Sequence, residues 1–222
     1  MRRFQFSLRA ALATLFVFAV ALGTSLLYFQ KLKRVETDIE ILRSHGGNVD
    51  RAPFSQGVLS RMVLDFAGYP SEVRQYTPLD NVGEFIRVIS RNSTISELTI
   101  DGTALSDSEV QRLLELPLTS LRIDQCPTGD TLDAPASVTL ERLALHRTRL
   151  NDRSLAALGE LANVRYLDLT RTRVSDASIE YLASRPSLTT LTIRRCKITE
   201  DGKRKLEALR PGLRINWEPL AK

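Results

Sequence analysis

The sequence predicts an α/β solenoid, with parallel β-strands on a concave face and short helices on a convex face, behind an N-terminal transmembrane helix. Three observations carry this. One apolar pattern returns five times, in ISELTIDGT, LTSLRIDQC, LERLALHRT, VRYLDLTRT and LTTLTIRRC. Its central residues Leu98, Leu121, Leu143, Leu167 and Leu191 stand 23, 22, 24 and 24 residues apart, and a period in the twenties marks a stack of identical units. A run of 20 uncharged residues, Ala10–Phe29, precedes the repeats. After most copies comes Ser, Asn or Thr followed by an acid, the start signal of a helix.

Residues 1–9 form a short basic tail. Residues 10–29 are long enough to span the ~30 Å hydrocarbon thickness of a bilayer as a helix. A signal peptide is the competing reading, with Ala19-Val20-Ala21 as its cleavage site. The apolar run continues past that point through Leu26, Leu27, Tyr28 and Phe29, which favours a retained signal anchor. Arg2, Arg3 and Arg9 before the span nearly balance Lys31, Lys33, Arg34 and Arg43 after it. The short tail ahead of a large domain tips the expectation toward a tail inside the cytoplasm and a C-terminal domain outside it.

Residues 30–47 read as a helical stalk. Tyr28, Leu32, Val35, Ile39 and Leu42 are spaced 4, 3, 4, 3, a seam that suits either a weak homodimer or a helix resting on its own domain. Residues 48–94 read as a linker and N-terminal cap. Leu59, Met62, Val63 and Phe66 line one short helix, and Leu79, Val82, Phe85, Ile86 and Ile89 another. A solenoid needs such a cover over its apolar end.

Residues 95–222 hold the repeats and a C-terminal cap. In each x-L-x-L-x segment the two apolar residues point inward and the others outward. Thr103, Cys126, Thr148, Thr172 and Cys196 then turn inward toward the backbone. Ser106-Asp107, Asn151-Asp152, Ser175-Asp176 and Thr199-Glu200 begin the returning helices. These acids read as helix caps rather than as a metal or catalytic array. The second copy continues as PTGDTLDAPASV, and its Pro127, Gly129 and Pro135 predict an extended loop in place of a helix. Pro211-Gly212 ends the last helix, Leu213 and Ile215 extend the inward columns, and Trp217 covers the end of the core.

The motif L-x-x-L-x-L-x-x-T/C with a helical return resembles a leucine-rich repeat. The Thr/Cys ladder and the S/N-D helix start resemble the cysteine-containing subclass. With the anchor, the chain is similar to small bacterial membrane-anchored proteins of that family. The likeness covers residues 95–217 and the anchor. For function it implies only a protein-binding scaffold; the expected location is single-pass in the bacterial inner membrane, and no cofactor is expected.

Composition narrows the function. A formal charge of +5 over 222 residues demands no polyanionic partner. Two His and two Cys, with His45 outside the repeats, argue against a structural zinc site. Cys126 and Cys196 lie three strand steps apart, ~15 Å at ~4.8 Å per step. A disulfide needs Cα atoms within about 7 Å, so both thiols are expected free and buried.

Three outward columns follow from the register: Glu97, Ser120, Arg142, Tyr166, Thr190; then Thr99, Arg122, Ala144, Asp168, Thr192; then Asp101, Asp124, His146, Thr170, Arg194. Tyr166 with Arg142, Arg122, Asp168 and His146 is the candidate site for a protein or peptide ligand, because aromatic and arginine clusters dominate binding hot spots. At the strand exits Arg147, Arg171 and Arg195 form one basic ladder and Arg149, Arg173 and Lys197 a second. That edge supports an alternative role as a structural or envelope spacer docking on anionic lipid or polyanion, or it is a solvated edge balanced by Asp152, Asp176 and Glu200. No aromatics interleave with it, which argues against nucleic acid. His146 beside Asp124, with Ser120 on the same sheet, is the one arrangement suggestive of catalysis. Ser120 stands in another column and no oxyanion turn accompanies it, so the expectation is a non-enzyme with no metal or catalytic residues.

Overall fold

The computed structural model describes residues 72–75, 82–91, 95–132, 139–159 and 161–220, with scattered positions between 30 and 48. The chain divides into two compact units, one of Met1–Glu40 with Gln56–Gly68 and one of Ile41–Ser55 with Tyr69–Lys222. In the first, the described positions 30, 33, 34, 37, 38 and 40 are helical, as the stalk requires. The membrane segment at 10–29, most of the stalk seam and the helix at 59–66 lie outside the described residues. Among the described residues no helix is long and apolar enough to cross a membrane.

The second unit is α/β. Its sheet has eight strands in chain order. They are β1 (Gly47–Asn48), β2 (Glu72–Gln75), β3 (Glu97–Asp101), β4 (Ser120–Asp124), β5 (Arg142–His146), β6 (Tyr166–Asp168), β7 (Thr190–Cys196) and β8 (Arg214–Pro219). Strands β2 to β8 are parallel, and β1 joins β2 antiparallel at the N-terminal edge. The helices are α1 (Val82–Ser90), α2 (Asp107–Leu114), α3 (Asp152–Ala157), α4 (Ile179–Ala183, led by a 3₁₀ turn at Asp176–Ser178) and α5 (Glu200–Leu209).

Register follows the sequence period. Leu98, Leu121, Leu143 and Leu167 pair in turn with Leu191 and Ile215. The five leucines of this column are buried. Each contributes about 1.5–3 kcal/mol of apolar burial. Val73 of β2 enters the same column opposite Leu98. The sheet therefore starts one strand earlier than the sequence pattern reveals. Residues 72–75, EVRQ, hold a single apolar residue, too few to show the motif. Leu42, the last residue of the stalk seam, is buried in this unit's core. At that position the seam serves the chain's own domain.

The Thr/Cys ladder bonds the turning backbone. Thr148 Oγ1 donates to Leu145 O at 3.2 Å, Thr172 Oγ1 to Leu169 O at 2.8 Å, and Cys126 Sγ to Asp124 O at 3.4 Å. Both cysteines are free and buried, as expected. Burial pushes the Cys126 thiol up to about 11. Thr103 Oγ1 is buried without a partner among the described residues.

Helix starts match the expected caps. Ser106 forms a capping box with Glu109, and Asn151, Ser175 and Thr199 accept from Ser154, Ala177 and Gly202 backbone nitrogens. The acids beside them do more than favour their own helix. Asp152 accepts from the backbone nitrogen of Ser175 at 2.8 Å, its hydroxyl at 2.6 Å and the Ser178 hydroxyl. Asp176 accepts from Thr199 N at 2.9 Å and Thr199 Oγ1 at 2.7 Å. Asp107 accepts from Gly129 and Thr131 backbone nitrogens and from the Thr128 and Thr131 hydroxyls. Each aspartate thus ties its repeat to the next one. Burial opposes the Asp107 charge, yet the bonds from Gly129, Thr128 and Thr131 outweigh it and hold the carboxyl at about 2.

No helix forms over 125–132, as Pro127 and Gly129 predict. At the C-terminal end, Trp217 packs against the core and its Nε1 donates to Ile198 O at 3.1 Å.

Candidate functional site

The outward columns assemble in the anticipated order. Glu97, Ser120, Arg142, Tyr166 and Thr190 are consecutive register partners, as are Thr99, Arg122, Ala144, Asp168 and Thr192. Asp101, Asp124 and His146 begin the third column. The five candidate binding residues differ in what they present. Arg142 and Arg122 are open, with side chains 61% and 47% exposed. Tyr166 is half-buried, and Asp168 is only 5% exposed.

Asp168 is the hub of this patch. It accepts from Tyr166 Oη at 3.0 Å, Thr170 N at 3.0 Å and Thr170 Oγ1 at 2.6 Å. His146 Nε2 stands 2.7 Å from Asp168 Oδ2 at ion-pair distance, but without hydrogen-bond alignment. Burial works against the Asp168 charge. The His146 contact and the Thr170 donors prevail and lower its pKa. Asp168 therefore sets the tilt of Tyr166 and offers little of itself to a ligand.

Arg122 Nη2 reaches Asp124 Oδ2 at 3.2 Å and His146 Nδ1 at 3.1 Å. A guanidinium can only donate, so in this contact Nδ1 accepts. His146 Nδ1 also lies 3.4 Å from Asp124 Oδ2. The His146–Asp124 pair expected from the sequence is thus present, but Arg122 and Asp168 share the ring with it. Ser120 pairs in register with Arg142, at the opposite end of its strand from Asp124. Among the described residues no group of three or more His, Cys, Asp or Glu is placed to hold a metal ion.

The two basic ladders diverge in their surroundings. Arg173 pairs with Asp130 at 3.1 Å and Arg149 with the same carboxylate at 3.8 Å. Arg195 Nε donates to Glu218 at 3.0 Å. The acids the sequence offers as balance, Asp152, Asp176 and Glu200, are spent elsewhere. The first two bind the next repeat and Glu200 binds Arg204 at 2.8 Å. Lys197 alone of the ladder lies near enough to help lower the Asp152 pKa, after burial and the Ser175 and Ser178 bonds. Arg147 and Arg171 make no side-chain hydrogen bond or ion pair among the described residues.

These two line an open cleft of about 340 Å³ with Arg122, Arg194, Arg195 and Glu218. Sequence reasoning placed Arg194 in an outward column and did not join it to the ladder. Gly102 occupies the position of Gln125, Arg147, Arg171 and Arg195, and all five have positive φ, from 50° to 66°.

No protein-family model matches the chain, and no curated protein matches it significantly.

Proposed function

We propose that the chain is a membrane-anchored, non-catalytic binding module. In this reading a leucine-rich-repeat domain stands behind the anchor at residues 10–29 and recognises a protein or peptide through the outward face of its sheet. The observation that supports it most is the setting of Tyr166. Its hydroxyl is fixed by Asp168, its ring is half-buried, and the exposed Arg142 is its direct register neighbour. A fixed aromatic beside an exposed guanidinium costs little entropy to engage and gives a partner both apolar area and charge. Among the described residues Arg142 pairs with Glu97 at 3.4 Å, both side chains in solvent, a pairing of small worth.

The spacer reading rests on the edge of Arg147, Arg171 and Arg195, of which Arg195 already has an acidic partner in Glu218.

The test is crosslinking capture of the full chain from its own membrane. Tyr166→Ala combined with Arg142→Glu is expected to cut recovery of the partner at least tenfold while the thermal midpoint moves by only a few degrees. Unchanged recovery would remove this face from consideration.

A further inference from the structure

We infer that the cleft at the strand exits is a binding site for a phosphate-bearing anion, held by Arg147, Arg171 and Arg194. The cleft adjoins the protein-binding face through Arg122 and His146, but the inference rests on other residues.

Charge placement is the first ground. The cleft gathers Arg122, Arg147, Arg171, Arg194 and Arg195 against Asp124 and Glu218. The two acids are already engaged, Asp124 by Arg122 and Glu218 by Arg195. Arg147, Arg171 and Arg194 remain without an ionic partner among the described residues. Arg147 and Arg171 are one strand step apart, ~4.8 Å, where like charges repel unless an anion lies between them.

Backbone conformation is the second ground. Arg147 and Arg171 have φ of 50° and 58°, the left-handed region that non-glycine side chains avoid. Gly102 fills the same position in the first repeat without that cost. The strained turns are held by neighbouring strands, since Arg147 N donates to Thr170 O at 2.9 Å and Arg171 N to Arg194 O at 2.8 Å. Gln125 and Arg195 share that φ, so the turn belongs to every repeat, and three of its occupants, Arg147, Arg171 and Arg195, line the cleft.

Ligand chemistry follows from the donor count. One carboxylate satisfies a single guanidinium fork, or two at most. Three unpaired guanidinium groups around one cleft match a phosphate with its several acceptor oxygens and up to two negative charges. An acidic peptide would run on along the edge, but Arg149 and Arg173 beyond the cleft already share Asp130 as partner.

The experiment uses the full chain in uncharged detergent, titrated calorimetrically with pyrophosphate and with citrate at matched ionic strength. Vesicles of phosphatidic acid, a terminal phosphomonoester, are compared with phosphatidylserine, whose phosphate is a diester; binding of these vesicles rather than of pyrophosphate marks a lipid source. Saturable binding of pyrophosphate or of phosphatidic acid vesicles is expected, at least tenfold tighter than citrate or phosphatidylserine respectively. Arg147→Gln/Arg171→Gln/Arg194→Gln is expected to weaken it at least tenfold, and Arg149→Gln/Arg173→Gln to leave it within twofold. Equal binding of citrate and phosphatidylserine, or an unaffected triple variant, would overturn the assignment. So would the absence of saturable binding to either phosphate probe. Should the triple variant not unfold cooperatively, Arg171→Gly carries the test alone. It suits φ of 58° and should raise the thermal midpoint while weakening binding at least threefold; a stabilised protein with undiminished binding would also overturn the proposal.

Discussion

Asp107 shows how one residue type serves the whole stack. Its carboxylate takes four donors from the loop after Cys126, a stretch with no helix of its own to organise it. The pKa is 3.8 for a free carboxyl and about 2 here. A depressed carboxyl stabilises the fold fully above its unfolded value and loses that contribution as pH falls through the folded one. The stability gap between the native chain and Asp107→Asn is therefore expected to be constant above about pH 5 and to close between pH 4 and 2. Urea unfolding across that range measures it, and a gap unchanged at pH 2 would mean that the loop does not depend on the charge. Asp152 and Asp168 are lowered by the same kind of donors and titrate in the same direction. The sequence shows these acids at fixed spacing and so suggests helix caps. It does not show that Asp107, Asp152 and Asp176 reach 21 to 26 residues ahead. That contact depends on the stacking distance, which no single repeat encodes.

Within the repeat elements, the last helix carries the clearest mark of this linkage. Gly202 sits in α5, where alanine would ordinarily be worth about 1 kcal/mol more. A Cβ there would stand 2.0 Å from Asp176 Oδ1. Gly202→Ala is thus expected to destabilise the protein by about 1–3 kcal/mol, as overpacking does, and denaturant unfolding reads the sign. A gain in stability would show that Asp176 can leave Thr199 at no cost. Strands and caps from Ile95 onward were legible because the apolar period, the Thr/Cys ladder and the Ser, Asn and Thr starts all agree. Strand β2 was not, since Val73 is its single apolar residue. The lack of a helix over 125–132 was legible through Pro127 and Gly129. The role of that stretch as the source of Asp130, partner to Arg149 and Arg173, was not.

Across the whole molecule the helix side and the sheet side have different work. On the helix side, polar groups close the ends of neighbouring repeats. Arg210 donates to the Ala183, Arg185 and Leu188 carbonyls, and Tyr181 Oη to Gly159 O at 2.7 Å. On the sheet side, Ala144, Asp168 and Thr192 are buried beneath their own neighbours, so the face presents Tyr166, Arg142 and Arg122 among the half-buried Glu97, Thr99, Ser120 and Thr190. A strand face with a fixed aromatic and exposed arginines is suited to recognition, and the cleft at its exit to an anion. Placing a photoreactive amino acid in the full chain tests recognition by the sheet face most directly. Position 99 or 190 reports the outward face, and position 204 or 207 the exposed side of α5. Irradiation in the native membrane is expected to yield one partner adduct from 99 and 190 and none from 204 and 207. Adducts from the α5 positions alone would contradict the account.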